Sequence, residues 1–170
     1  LGNALRRILL SSLDGAAVTS IRVADVLHEF SDIPGVREDV IQVMLQIKQI
    51  RLMLHDVETS HMHLDVRGEG VVTAADIQTS ADVEIVNPEL YLFTVDDPNT
   101  RLEIDLTVGR GRGYSPASER SGKLPIGELP VDAIYSPVKR VNWSVSAARV
   151  GQSTNFDRLI LEIWTDGTIS

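Results

Sequence analysis

Residues 101–108 alternate strictly between polar and apolar side chains, and this pattern constrains the fold more than any other feature of the sequence. The apolar phase consists of Leu102, Ile104, Leu106 and Val108, and the polar phase consists of Arg101, Glu103, Asp105 and Thr107. Because successive side chains of a strand point to opposite faces of a sheet, one face is buried and the other is hydrated. Residues 61–66 repeat the pattern, which is typical of antiparallel sheets.

Two other segments have helical spacing. In the first, apolar residues occupy positions 1, 4, 5, 8, 9 and 13, and Asp14-Gly15 is a typical helix end because glycine accepts a left-handed backbone. In the second, the apolar stripe consists of Val36, Val40, Val43, Met44 and Ile47. Because no regular alternation of strands and helices follows, we expect an α+β fold with mostly antiparallel sheets and about eight or nine strands.

Charge and cysteine content exclude several classes of protein. With 16 Lys and Arg against 24 Asp and Glu, the net charge is −8, and DNA phosphates would repel the chain as a whole. The absence of Cys excludes a disulfide scaffold, a Cys-ligated zinc site and thiol catalysis. No apolar run approaches the roughly 18–20 residues that span a bilayer. The chain lacks an initiator Met, opens on a helix and stops just past a strand, so we expect a fragment truncated at both ends.

Three histidines are candidate metal ligands. His55, His61 and His63 lie close together in the sequence, and His61 and His63 share one face of a predicted strand. Two histidines at this spacing can hold a metal ion. A small His-ligated metal-dependent enzyme is therefore an alternative hypothesis, and an exposed strand face carrying chance histidines is the simpler one.

Residues 109–114, with the sequence Gly-Arg-Gly-Arg-Gly-Tyr, look at first like a phosphate-binding loop. Such a loop requires Lys-Ser or Lys-Thr after its last glycine and a helix behind it, and both are missing. We expect a basic loop over residues 109–127. Arg110, Arg112 and Arg120 could make it a nucleic-acid-binding module, although the net charge and the low aromatic content argue against that as the main role.

The first helix carries a second stripe beside its apolar one. Asn3, Arg6, Arg7 and Leu10 are spaced i, i+3, i+4 and i+7, so they share a face that mixes two guanidinium groups with a large apolar side chain. Solvated arginines are one interpretation. The other is a protein-binding face, because arginine is enriched among the residues that contribute most to interfaces.

Several segments, in order along nearly the whole chain, resemble one known family. They are LGNALRRILLSS at residues 1–12, VLHEF at 26–30, GVREDV at 35–40, VTAADI at 72–77, VEIV at 83–86, GRGRGY at 109–114, VDAIYSPV at 131–138 and the closing stretch 159–169. This ordered set resembles the N-terminal domain of the bacterial DNA-directed RNA polymerase α subunit. The resemblance implies a non-catalytic assembly scaffold that forms a homodimer and binds the large β and β′ subunits.

The resemblance also implies a division of the chain and a set of interface residues. Residues 1–14 and 137–170 would form a discontinuous dimerisation part, and residues 15–136 would form a β-rich inserted part. By position, the family pattern assigns three groups of residues. They are Arg6, Arg7, Leu10 and Gln42 for β, Lys48, Val131 and Arg158 for β′, and Leu1, Leu5, Ile8 and Leu9 for the dimer.

The same resemblance implies no catalytic residue, no metal and no cofactor in this chain. It implies a cytoplasmic protein that associates with the nucleoid as part of the polymerase. Direct contacts of this fragment with DNA or a membrane are not expected.

Overall fold

The computed structural model describes residues 1–120, 124–150 and 154–169. In that part of the chain there are two α-helices, α1 (Gly2–Ser11) and α2 (Val40–Ile47). The strands are β1 (Asp14–Val23), β2 (Leu52–Leu54), β3 (Thr59–Arg67), β4 (Gly70–Thr73), β5 (Val83–Ile85), β6 (Tyr91–Val95), β7 (Arg101–Arg112), β8 (Tyr114–Ser115), β9 (Glu128–Pro130), β10 (Ala133–Ile134), β11 (Val138–Val150) and β12 (Thr154–Thr165). The α+β prediction is confirmed. Neither helix is long and apolar enough to cross a membrane.

The central sheet has the strand order β3-β7-β1-β2-β5, with β9 also paired to β1, and the pairs are antiparallel. The alternation in β7 predicts its faces correctly, because Leu102, Ile104, Leu106 and Val108 are all buried. They join one apolar core with α2, β4 and β6, in which Phe93 is fully buried.

The helix α2 begins later than the apolar stripe predicts, and Val36 lies outside it. Asp39 and Gln42 form a reciprocal cap: the Gln42 backbone N–H donates to Asp39 Oδ1 at 2.8 Å, and the Asp39 N–H donates to Gln42 Oε1 at 3.0 Å. Upstream of the cap, Glu38 accepts hydrogen bonds from the Thr94 N–H and the Tyr91 hydroxyl. These bonds tie the chain to β6 ahead of the helix, and the cap sets the helix start at Val40.

The helix α1 packs against β11, which forms a long antiparallel hairpin with β12. The close approach depends on Gly2, because a Cβ atom there would run into the Trp143 ring. The prediction that Asp14-Gly15 ends the helix is wrong: α1 ends at Ser11, and Asp14 and Gly15 are already the first residues of β1. Gly15 is needed instead for space, since a Cβ atom would meet the Tyr135 carbonyl.

The glycine-rich segment is a strand end rather than the loop expected from its composition. β7 continues through Arg112, and Gly113, with φ at +64°, makes the turn into β8. A Cβ atom on Gly111 would lie 2.7 Å from the Tyr135 ring. The glycines at 111 and 113 therefore serve packing and a turn, and the segment is not a phosphate cradle.

Candidate protein-binding surfaces

The arginine-bearing face of α1 lies along a groove of about 580 Å³ between this helix and β11. Arg6 and Leu10 line the groove together with Lys139 and Arg140. Arg6 and Arg7 are exposed, Leu10 is half-buried, and among the described residues neither Arg6 nor Arg7 forms an ion pair. These guanidinium groups are therefore able to meet an acidic partner without first breaking an internal salt bridge.

A second groove of about 230 Å³ runs beside α2 and brings together two of the residues predicted for β′. Lys48 and Val131 both line it, and Lys48 Nζ lies 3.8 Å from a carboxylate oxygen of Asp132. Val131 is only 1% exposed, so it contributes to the floor of this groove. Ile41 and Leu45 form an apolar side wall and remain 40% and 47% exposed.

The other predicted contact residues lie apart from this groove. Gln42 is exposed on α2, and its side-chain oxygen is already used in the helix cap. Arg158 is exposed on β12, opposite Ser146 of β11 in the hairpin. Ile41 and Leu45 are not among the contact residues predicted from the sequence. The sequence does carry a signal for them, because two apolar residues at i and i+4 outside the buried stripe indicate a second apolar face of the helix.

The surface formed by α1 and the β11–β12 hairpin is unusually apolar. Seven of the sixteen large apolar side chains exposed in the described part of the chain belong to these elements. Leu1 and Ile8 lie on α1, Trp143, Val145 and Ile163 share one face of the hairpin, and Ile160 and Trp164 lie on the opposite face. Of the residues predicted for the dimer, Leu1 and Ile8 are exposed by 90% and 55%, while Leu5 and Leu9 are half-buried. An exposed apolar concentration of this kind marks an interaction site.

The three arginines considered for nucleic-acid binding are all engaged within the fold. Arg110 donates to the carbonyl oxygens of Leu54 and Val57, at 2.8 and 3.2 Å from its Nη2. Arg112 Nε lies 2.6 Å from Asp14 Oδ1. Arg120 donates to backbone carbonyls on three segments, as described below. These intramolecular contacts give the three arginines a structural role.

The three histidines do not converge. His63 Nδ1 lies 2.6 Å from Asp105 Oδ1, and His55 Nε2 lies 3.3 Å from Glu84 Oε2. The hydrogen bond to Asp105 raises the pKa of His63 above its ordinary value, although burial opposes the shift. In the described ranges no group of three His, Asp or Glu side chains is placed to hold a metal ion, so the geometry gives no support to the metal-enzyme alternative.

Arg120 holds together a corner of the fold that the sequence did not reveal. Its guanidinium donates to the carbonyl oxygens of Thr19, Ser115 and Val131 and to the Ser115 hydroxyl. The corner joins β1 and β8 to the segment between β9 and β10, next to the α2 groove. Arg120 therefore supports the position of Val131.

Comparison with known proteins identifies the family. The model of the RNA polymerase Rpb3/RpoA insert domain matches residues 20–136, which is more than half of the chain. The chain belongs to this family. The match covers α2, Arg120 and the central sheet apart from residues 14–19 of β1, whereas α1 and the hairpin lie outside the matched residues.

Relatives of this insert-domain protein match nearly the whole chain. The DNA-directed RNA polymerase subunit α of Desulforudis audaxviator is 54% identical over 170 residues, 99% of this chain and 54% of that protein. The proteins of the same name from Roseiflexus sp. and Symbiobacterium thermophilum are also 54% identical over 99% of this chain, covering 52% and 54% of their own lengths. The chain thus spans about half the length of the curated relatives it matches.

Proposed function

We propose that this chain is the assembly part of a bacterial RNA polymerase α subunit. It forms a homodimer, binds the β and β′ subunits, and nucleates the core enzyme that carries out DNA-templated transcription. The chain itself contributes no catalytic group and no cofactor, and it works in the cytoplasm as part of the polymerase on the nucleoid.

The observation that carries the proposal is the apolar surface of α1 and the hairpin. Relatives named as RNA polymerase α subunits match this region as well as the insert domain. Trp143, Val145 and Ile163 share one face of the hairpin and are each more than 40% exposed. A second copy of the same surface would bury them in a two-fold interface, since such interfaces are self-complementary.

We assign two further surfaces to binding of the large subunits. The unpaired arginines of α1 favour a partner with acidic side chains, which we assign to β. The groove beside α2, with its apolar wall of Ile41 and Leu45 and its Lys48 rim, we assign to β′. The packing of α1 on the hairpin and the continuity of the central sheet support a dimerisation part of residues 1–14 and 137–170 around an inserted part of residues 15–136.

Native mass spectrometry of the chain mixed with purified β and β′ tests the proposal. We expect a species with two copies of the chain and one β, which then takes up β′. A folded dimer that binds neither β nor β′ would contradict the proposed function.

Arg7→Ala tests the assignment of α1 to β. If Arg7 forms a desolvated charged contact, truncation weakens β binding by roughly 2–5 kcal/mol while the dimer persists. Arg101→Ala is the matched control, because Arg101 is also exposed and has no ion pair among the described residues, and it lies on β7 away from α1. Equal β affinities for Arg7→Ala and Arg101→Ala, measured by titration, would rule out this role for Arg7.

A further inference from the structure

The end of the hairpin returns to the central sheet, where the contact is made by a buried pair of opposite charges. Asp166, directly after β12, places Oδ2 at 3.7 Å from Nε of Arg51, directly before β2. The side chains are only 5% and 14% exposed, respectively. Since β2 belongs to the central sheet and β12 to the hairpin that carries α1, the pair joins two parts of the fold.

Arg51 is fixed on the sheet side by its own backbone. Its N–H donates to Asn87 Oδ1 at 2.7 Å, and its carbonyl accepts from the Val86 N–H at 2.7 Å. Its Nη1 also lies 3.4 Å from the Lys48 carbonyl at the end of α2. Arg51 thus connects the start of β2 to the helix that borders the second groove.

Asp166 is fixed equally well on the hairpin side. Its N–H donates to the Pro137 carbonyl at 2.8 Å, which closes the base of the hairpin. Its Oδ1 accepts from the Thr168 N–H at 3.0 Å and from the Thr168 hydroxyl at 2.6 Å. One carboxylate oxygen therefore shapes the turn after β12, and the other faces Arg51.

The electrostatics favour an orienting role over a stabilising one. Burial lowers the pKa of Arg51, and the negative charge of Asp166 works against that shift. A buried ion pair adds little net stability compared with apolar residues, but removing one partner strands the other charge in the interior. Such a pair therefore selects the one arrangement of the two parts in which both charges meet.

We propose that Arg51 and Asp166 are positioning residues that fix the orientation of α1 and the hairpin relative to the sheet that carries α2. The pair thereby sets the spacing at which one copy presents its α1 face and its α2 groove to the large subunits. The role in spacing the two binding surfaces rests on the proposed function, whereas the role in orienting the two parts of the fold does not. A fixed spacing raises affinity because less conformational freedom is lost on binding.

Spin-label distance measurements test the orientation directly. The chain has no Cys, so Ser144→Cys on β11 and Glu69→Cys in the turn after β3 give one defined label pair, and both parent residues are exposed. An excess of unlabelled chain keeps labelled copies from meeting in a dimer. We expect one narrow distance distribution for the parent chain.

Two variants separate the ion pair from the turn. Asp166→Asn removes the charge opposite Arg51 but keeps an acceptor for Thr168, and we expect it to broaden or shift the distribution. Thr168→Val removes the hydroxyl donor and keeps the ion pair, and we expect the parent distribution. An unchanged distribution in Asp166→Asn, or an equal broadening in Thr168→Val, overturns the proposal. Arg51→Gln is the reciprocal variant and decides the matter if Asp166→Asn does not fold.

Titration of the same variants with β tests the consequence for binding. We expect Asp166→Asn to dimerise like the parent and to bind β at least several-fold more weakly. Equal β affinity despite a broadened distribution overturns the role in presenting the two surfaces. If the parent chain itself fails to bind β while Asp166→Asn still broadens the distribution, the proposed function fails and the orienting role of the pair stands.

Discussion

Val145→Asp is the sharpest test of the proposed dimer surface. Val145 lies on β11, on the same hairpin face as Trp143, and its side chain is 55% exposed. A change at an exposed position leaves the core of the folded chain intact. In a two-fold dimer, however, each copy would bring a carboxylate into the apolar contact.

The expected magnitude follows from the exposed fraction of the valine. Full burial of a valine side chain contributes roughly 1.5–2 kcal/mol, so covering the exposed half contributes about 1 kcal/mol per copy. A carboxylate buried without a partner adds a penalty of roughly 1–3 kcal/mol or more. Since both copies carry the change, the dimer loses about 4–8 kcal/mol, which raises its dissociation constant at least about a thousandfold.

Sedimentation equilibrium over a range of concentrations measures this change, and circular dichroism confirms that the variant is folded. Val71→Asp is the matched control, because Val71 is also a strand valine, is 62% exposed, and lies on β4 outside the apolar surface. A folded Val145→Asp that dimerises as tightly as the parent chain would refute the reasoning. Equal weakening by Val71→Asp would show a general effect of added charge.

Two further predictions concern the inserted part. Arg120→Ala leaves several carbonyl oxygens without their charged donor, so we expect urea unfolding to show a loss of about 2–4 kcal/mol, with Arg120→Lys in between; a loss below about 0.5 kcal/mol would contradict this. In an NMR titration the pKa of His63 should lie above 6.5 and fall in Asp105→Asn. Because the folded-state pKa is raised, this pair's stabilisation is complete below the unfolded pKa and is lost as pH rises through the folded one.

The sequence predicts elements well where one local rule dominates. The alternation in β7 gives its buried face, and the stripe Val40, Val43 and Ile47 gives the buried side of α2. The predicted start of α2 is wrong because Glu38 makes long-range bonds and Asp39 makes capping bonds that apolar periodicity does not reveal. Composition predicts a loop for the glycine-rich segment because it does not show that Tyr135 packs against Gly111.

The candidate surfaces divide in the same way. The spacing of Arg6, Arg7 and Leu10 shows a shared helix face. The fold leaves the two arginines exposed, as both the protein-binding interpretation and the solvated-arginine interpretation require. The meeting of Lys48 and Val131 in one groove depends on residues far apart in the chain, so only the resemblance to a family could suggest it. The Arg51–Asp166 pair has no local signal at all, because the two residues lie far apart in the sequence and meet only in the fold.

Whether exposed charged side chains are paired distinguishes surfaces that are suited to solvent from surfaces that are suited to binding a partner. On the outer face of the central sheet, His63 meets Asp105, and Arg22 lies 3.8 Å from Glu128, so the charges compensate each other across adjacent strands. At these pairs a partner adds little, since a new contact must replace an existing one. On α1, by contrast, Arg6 and Arg7 have no ion-pair partner among the described residues, and exposed apolar side chains lie beside them. Charge without an ion-pair partner next to exposed apolar area is a combination typical of protein interfaces, and it supports the proposal that α1 and the hairpin form the assembly surface.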